Sequence, residues 1–235
     1  LKHAVIVAGH SILRMPPASR EALTQDDAWL LLDFQKGEPP CYLEHARCGV
    51  EIAARDPEAL LLFSGGQSRA GAGPWSEAQS YYLAAAMHDW FGHAPVAARA
   101  STEEFARDSF ENLLCGLARF REWTGVWPAH VTVVSWAFKE ERFGLHRAAI
   151  RWPAERFHYE GPNNPRDLAQ ALAAEQRARQ WYTEDPYSSG ERFRAKRVER
   201  NPHRRAASYL HTCPELRNLF AHAGPERFTG ALPWD

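Results

Sequence analysis

Paired metal-binding or redox cysteines are missing from this sequence. Its four cysteines, Cys41, Cys48, Cys115 and Cys213, form no CxxC pair. No HxxxH, HExxH or Cys/His cluster offers zinc a ligand set. Cys41 and Cys48 stand seven apart, which on a helix puts them two turns removed on one face, too far for a disulfide. All four read as reduced thiols in a cytoplasmic chain. Uninterrupted apolar sequence of bilayer-spanning length is absent. The opening LKHAVIVAGHS lacks the charged-then-apolar pattern of a signal peptide. An excess of one charge is absent too: 28 Lys and Arg against 29 Asp and Glu leave a net −1, so nothing draws the whole chain to nucleic acid or to a membrane. GxSxG, GxGxxG and GK[ST] are also missing, which excludes the familiar serine-hydrolase, dinucleotide and P-loop signatures.

What is present is a run of short apolar segments separated by helix-like ones. With 235 residues the chain has room for one substantial core and little for two. Its nine tryptophans point to large aromatic packing surfaces first and to aromatic-lined pockets second. Strands are predicted at His3 to Ser11, Glu58 to Gly66, Val96 to Ser101, His130 to Trp136 and Arg156 to Gly161. The first, second and fourth are continuously apolar, as strands buried on both faces are. Helices are predicted between and around them: from Thr24 (TQDDAWLLLDFQ), from Pro39, from Ser76 with a capping box to Gln79, from Asp108 to Gly125, from Phe138, and from Pro165. Strand and helix alternating through five rounds predict an α/β domain with a mostly parallel sheet of about five strands covered on both faces. That domain spans residues 1–186. Residues 187–235 begin with seven Arg or Lys against two Glu over Tyr187 to Arg205 and carry scattered prolines. They read as a basic extension packed on the domain.

In a parallel sheet, ligands sit beyond the carboxyl ends of the strands. The turns at Gly9-His10-Ser11, Ser64-Gly65-Gly66, Ser101 to Asp108 and Ser135-Trp136 are therefore the candidate site. Successive backbone N–H groups around Gly65 and Gly66 can form an anion-binding concavity. Lys139, Arg142 and His146 share one helix face and add cationic charge to a helix N-terminus. The same residues also read as a solvated face balanced by Glu140 and Glu141. Glu77 and Glu104, with Asn112, are acids and an amide near the same junctions, whereas Asp108 reads first as a helix cap. A carboxylate facing a cation suits acid–base work on an anionic substrate, and it suits oxygen ligation of a divalent metal. The candidate catalytic residues are Glu77, Glu104 and His146. The candidate ligand-binding residues are Gly9, His10, Ser64, Gly65, Gly66, Asn112, Ser135, Lys139 and Arg142.

Five short motifs in order carry a resemblance. Gly9 ends an early strand, Ser64-Gly65-Gly66 ends a second, and Ser76-Glu77 opens a helix. Glu104 then precedes Ser109 to Asn112, and Phe138 precedes Arg142. Over about residues 1 to 161 the chain resembles the family typified by the bacterial YdcF, SanA and ElyC proteins. Lys139 stands where the bacterial pattern has His, and Ser109 where it has Thr. The motifs KRVERNPHRR, CPELR and LPW, with Lys139 and His146, are similar to a eukaryotic, largely fungal branch. The resemblance implies a Rossmann-like three-layer fold, a charged enzymatic site and, in one bacterial branch, S-adenosylmethionine binding. Envelope functions of the bacterial relatives do not transfer to a chain without a spanning segment.

The expectation is a hydrolase or transferase acting on a phosphorylated or nucleotide-like small anion, by phosphoester hydrolysis or group transfer. S-adenosylmethionine binding, with the adenosine on Trp75 or Trp136, is the alternative the resemblance implies. A non-catalytic protein whose basic extension holds an acidic partner is the third reading. Nucleic acid fits that extension poorly, since it interleaves few aromatics for base stacking.

Overall fold

The computed structural model describes residues 1–235. Five strands, β1 (His3–Ala8), β2 (Ala59–Ser64), β3 (Ala100–Glu103), β4 (His130–Val134) and β5 (Phe157–Glu160), form one all-parallel sheet in the order β3-β2-β1-β4-β5. This is the order of a Rossmann-like fold. Chain direction across the sheet reverses between β1 and β4, and there the crevice opens.

Alternation along each strand sorts its side chains onto two faces. Ala4, Ile6, Leu60, Leu62, Val131 and Val133 pack on one face against α3 (Ser109–Thr124) and α4 (Glu140–Ala149), with Tyr182 of α5 (Leu168–Glu184). Val5, Val7, Leu61, Phe63 and Val134 pack on the other against α1 (Pro39–Arg55) and α2 (Glu77–Met87). Both predicted caps form. Ser76 accepts from the Gln79 amide and Gln79 reaches back, while Asp108 accepts from the Glu111 amide. Helix α3 stops at Gly125, held in the left-handed region at φ 76°.

The extension carries α6 (Glu191–Glu199), α7 (Tyr209–Thr212) and α8 (Arg217–Ala221). Its Tyr187, Phe193, Tyr209, Leu216, Leu219, Phe228 and Trp234 belong to the same apolar cluster as β1 and α3. The extension is thus part of the core.

Two elements differ from the sequence reading. The helix expected over Thr24 to Gln35 is instead a set of single turns, Asp26–Ala28 and Asp33–Gln35, around a bridge between Leu13 and Trp29. Trp29 buries there and donates its indole N–H to the Leu23 carbonyl, while Phe34 stays exposed, so no one helical face collects the apolar residues. Strand β3 begins at Ala100 and not at Val96. Residues Ala94–Arg99 form 3₁₀ turns, and the Ser, Thr and Glu that follow pair with β2. No helix is long and apolar enough to cross a membrane.

Candidate functional site

A cavity of about 340 Å³ lies beyond the carboxyl ends of β1, β2 and β4. Its floor is Gly9, His10 and Ser135; its walls come from the starts of α2, α3 and α4, from α5, and from α6. Of the residues expected at the site, Gly9, His10, Glu77, Asn112, Ser135, Lys139 and Arg142 line it. Ser64, Gly65, Gly66, Glu104 and His146 do not.

The glycines have a different role from the one expected. The Gly65 amide donates to the Glu103 carbonyl at 2.9 Å and the Gly66 amide to the Ala106 carbonyl at 2.7 Å, so neither N–H is free for an anion. Their neighbourhood is shaped by Glu77. A Cβ at Gly9 or at Gly65 would lie 2.7 Å from the Glu77 Cβ. The missing side chains let Glu77 tuck under the strand ends, 7% exposed, where Ser68 of the following loop donates to its Oε1. Ser64 is also inward: its hydroxyl donates to the buried Glu103 carboxylate at 2.7 Å, and the Asn112 amide donates to the Ser64 Oγ at 2.9 Å.

Glu104 faces the extension, with Arg205 at 3.4 Å and the Thr102 hydroxyl donating to it at 2.9 Å. His146 is fully buried among Phe110, Phe143 and Tyr182. Its Nε2 lies 2.8 Å from the hydroxyl of Ser109, which does line the cavity, and its Nδ1 has no partner. Burial, and then the Arg142 cation, hold His146 down at about 3, so it is neutral at pH 7 and orients Ser109 without reaching the cavity itself. His10 is likewise kept neutral, by burial and then by Lys139. It stacks on Trp136 at 5.6 Å and lies 3.3 Å from the Ser135 hydroxyl.

The cations decide the character of the space. Arg142 is clasped by the buried Glu175 of α5, Nε to Oε1 at 3.0 Å. Lys139 has no such partner, and neither does Lys196 of α6; the nearby acids Glu175 and Asp108 are held by Arg142 and Arg197. Burial, then Arg142, lowers Lys139 to about 7; burial, then Arg200, lowers Lys196 to about 8. Both shifts come first from burial and then from neighbouring cations, which Glu175 and Asp108 offset only in part. Arg200 also lines the cavity and donates to the Arg107 carbonyl at 3.2 Å. Asp108 joins this end of the fold to α6. Burial pushes its carboxyl up, but the Arg197 guanidinium, 2.7 Å away, more than offsets that and holds it at about 2.

Lys196, Arg200 and Glu38 were absent from the sequence-derived set. A signal for the first two exists: Phe193, Lys196, Arg197 and Arg200 fall at i, i+3, i+4 and i+7, and these are the residues of α6 that turn inward. No three or more His, Cys, Asp or Glu side chains converge as a metal-binding group.

The chain is 26% identical over 251 residues to YOR238W of Saccharomyces cerevisiae, an uncharacterised protein, in an alignment covering 86% of this chain and 81% of the yeast one. No family model matches the chain. No solved structure matches it either.

Proposed function

We propose that this protein is an enzyme of the hydrolase or transferase type that binds a phosphorylated or nucleotide-like small molecule in the cavity above β1, β2 and β4. One observation carries the reading. Two lysines from distant parts of the chain, Lys139 and Lys196, face one cavity with no carboxylate partner. A bound phosphoryl group supplies the missing anion, and Arg142 and Arg200 enlarge the positive field around it. In phosphoester hydrolysis or group transfer, these cations stabilise charge that builds on the phosphoryl oxygens. Glu77 is the carboxylate available to accept a proton.

Membership of the YdcF-type family is part of the same proposal. It is supported by the motif residues Gly9, Glu77, Asn112, Phe138 and Arg142 lining this one cavity. A cytoplasmic setting is proposed for it, consistent with four free cysteines. S-adenosylmethionine is less well matched. Trp136 offers an aromatic face, but Trp75, the other aromatic expected to stack the adenosine, is not on the cavity wall.

The test is calorimetry and thermal shift with inorganic phosphate and sulfate on the wild type, Lys139→Ala and Lys196→Ala. Millimolar anion is expected to raise the wild-type Tm, and each substitution is expected to weaken binding about tenfold or more. Equal binding by all three proteins would overturn the proposal.

A further inference from the structure

The cavity is two-ended, and its second end has a chemistry of its own. Glu77 at the start of α2 and Glu38 just before α1 both line it, and each is 7% exposed. Neither is in an ion pair. The Tyr42 hydroxyl donates to Glu38 Oε2 at 2.7 Å, and the Ser68 hydroxyl donates to Glu77 Oε1. Glu38 Oε1 and Glu77 Oε2 are left with no protein donor, and both belong to side chains on the cavity wall. Strand β1 lies between β2, whose end leads toward Glu77, and β4, whose end leads to Lys139 and Arg142. His10, Trp136 and Phe138 form an aromatic wall of the same space, stacked at 5.6 and 6.3 Å.

A simple oxyanion would satisfy the lysines and leave both carboxylates facing empty space. Nearly buried carboxylates with a single donor each are under-satisfied, and they repel the very anion the lysines attract. Resting on the anion-binding reading above, we infer that the ligand is a phosphorylated polyol, a sugar phosphate or the sugar-phosphate part of a nucleotide. Its phosphoryl group lies at Lys139 and Lys196, and its hydroxyl groups donate to Glu38 and Glu77. Carboxylate oxygens accept from sugar hydroxyls in pairs, and an aromatic wall suits the apolar face of a sugar ring or a base. An ammonium-bearing ligand would also satisfy the acids. It would, however, add positive charge beside Lys139, whose field already reaches Glu38. A hydroxylated end supplies donors without that cost.

Calorimetry with three probes separates these outcomes: inorganic phosphate, ribose 5-phosphate and phosphoethanolamine. Ribose 5-phosphate is expected to bind at least about tenfold tighter than phosphate, the worth of one or two hydrogen bonds to a charged acceptor. Glu38→Gln and Glu77→Gln, each nearly isosteric, are expected to collapse that ratio, weakening ribose 5-phosphate while strengthening phosphate. Phosphate and ribose 5-phosphate binding equally would overturn this inference and leave the anion site standing. So would a preference for phosphoethanolamine, or a ratio unchanged in both variants. Failure of every probe, phosphate included, would remove both readings.

Discussion

The pH dependence of anion affinity follows from the two unpartnered lysines and has a definite sign. Lys139 is lowered to about 7 and Lys196 to about 8 from the ordinary lysine value, by burial and then by neighbouring guanidinium groups. An anion seated between them favours the charged forms and restores their proton affinity, so binding above pH 7 takes up protons. Affinity therefore falls as pH rises. Between pH 6 and pH 9 Lys139 alone costs about 100-fold, and Lys196 adds about another tenfold. Sulfate is the right probe because its charge is constant over that range. Titration in two buffers of different ionisation enthalpy counts the protons directly, and at pH 8 it should find net proton uptake of about one to two per sulfate bound. Lys139→Arg, which stays charged throughout, should flatten most of the dependence. The stability of the free protein runs the other way. The unfolded chain holds these protons more tightly, so stability rises with pH from about 7 toward the ordinary lysine range. A wild-type sulfate affinity that is flat from pH 6 to pH 9 would refute the assignment of unpaired lysines to the anion site.

Three further outcomes test the frame around the site. Gly9→Ala would set a Cβ 2.7 Å from the Glu77 Cβ; it should destabilise by about 1–3 kcal/mol in urea unfolding and weaken ligand binding as Glu77 is displaced. Arg197→Met leaves the buried Asp108 without its cation and should cost about 3–5 kcal/mol, most of it recovered by adding Asp108→Asn. Glu103 is fully buried, and burial outweighs the donors from Ser64, Phe105 and Tyr209 to raise its carboxyl to about 7. Its contribution is complete below the ordinary glutamate value and is lost as pH rises through about 7, so wild-type stability should fall by about 3 kcal/mol across that window, and Glu103→Gln should remove the slope.

The sheet was legible because burial on both faces writes continuous apolar runs, as in β1, β2 and β4. Strand β3 was displaced in the reading because Ala100 to Glu103 carries Ser, Thr and Glu; its strand character comes from pairing with β2 and not from apolar pattern. Part of the cavity lining was legible: the rule placing ligands beyond strand ends picks out Gly9, His10 and Ser135, and the cationic face of the helix after β4 adds Lys139 and Arg142. The error at Gly65 and Gly66 has a physical source. A glycine cluster announces close approach, but sequence does not say whether a ligand or another side chain approaches, and here it is Glu77. His146 misled for a related reason, since helical spacing places it on the face of Lys139 and Arg142 but cannot show that its depth is filled by Phe110, Phe143 and Tyr182. The contribution of α6 was hidden by composition. A segment dense in Arg and Lys looks solvated, and only the single apolar anchor Phe193 fixes which of its cations turn inward.

The contrast between paired and unpaired charge is what separates a site from a scaffold in this fold. Within one region the chain matches Arg142 to Glu175, Arg197 to Asp108, and Arg107 to Glu111, so it has the means to neutralise charges it buries. Lys139 and Lys196 on one side, and the free oxygens of Glu38 and Glu77 on another, are left out of that matching although all four side chains share one cavity. Pairing the lysines with the acids would have cancelled both costs, yet neither lysine forms an ion pair with either acid. Separation of this kind is unfavourable for folding alone. On the proposed reading, a molecule carrying an anion at one end and donors at the other completes the pairing, so the unmatched charges, more than the completed ion pairs, are the groups to test for function.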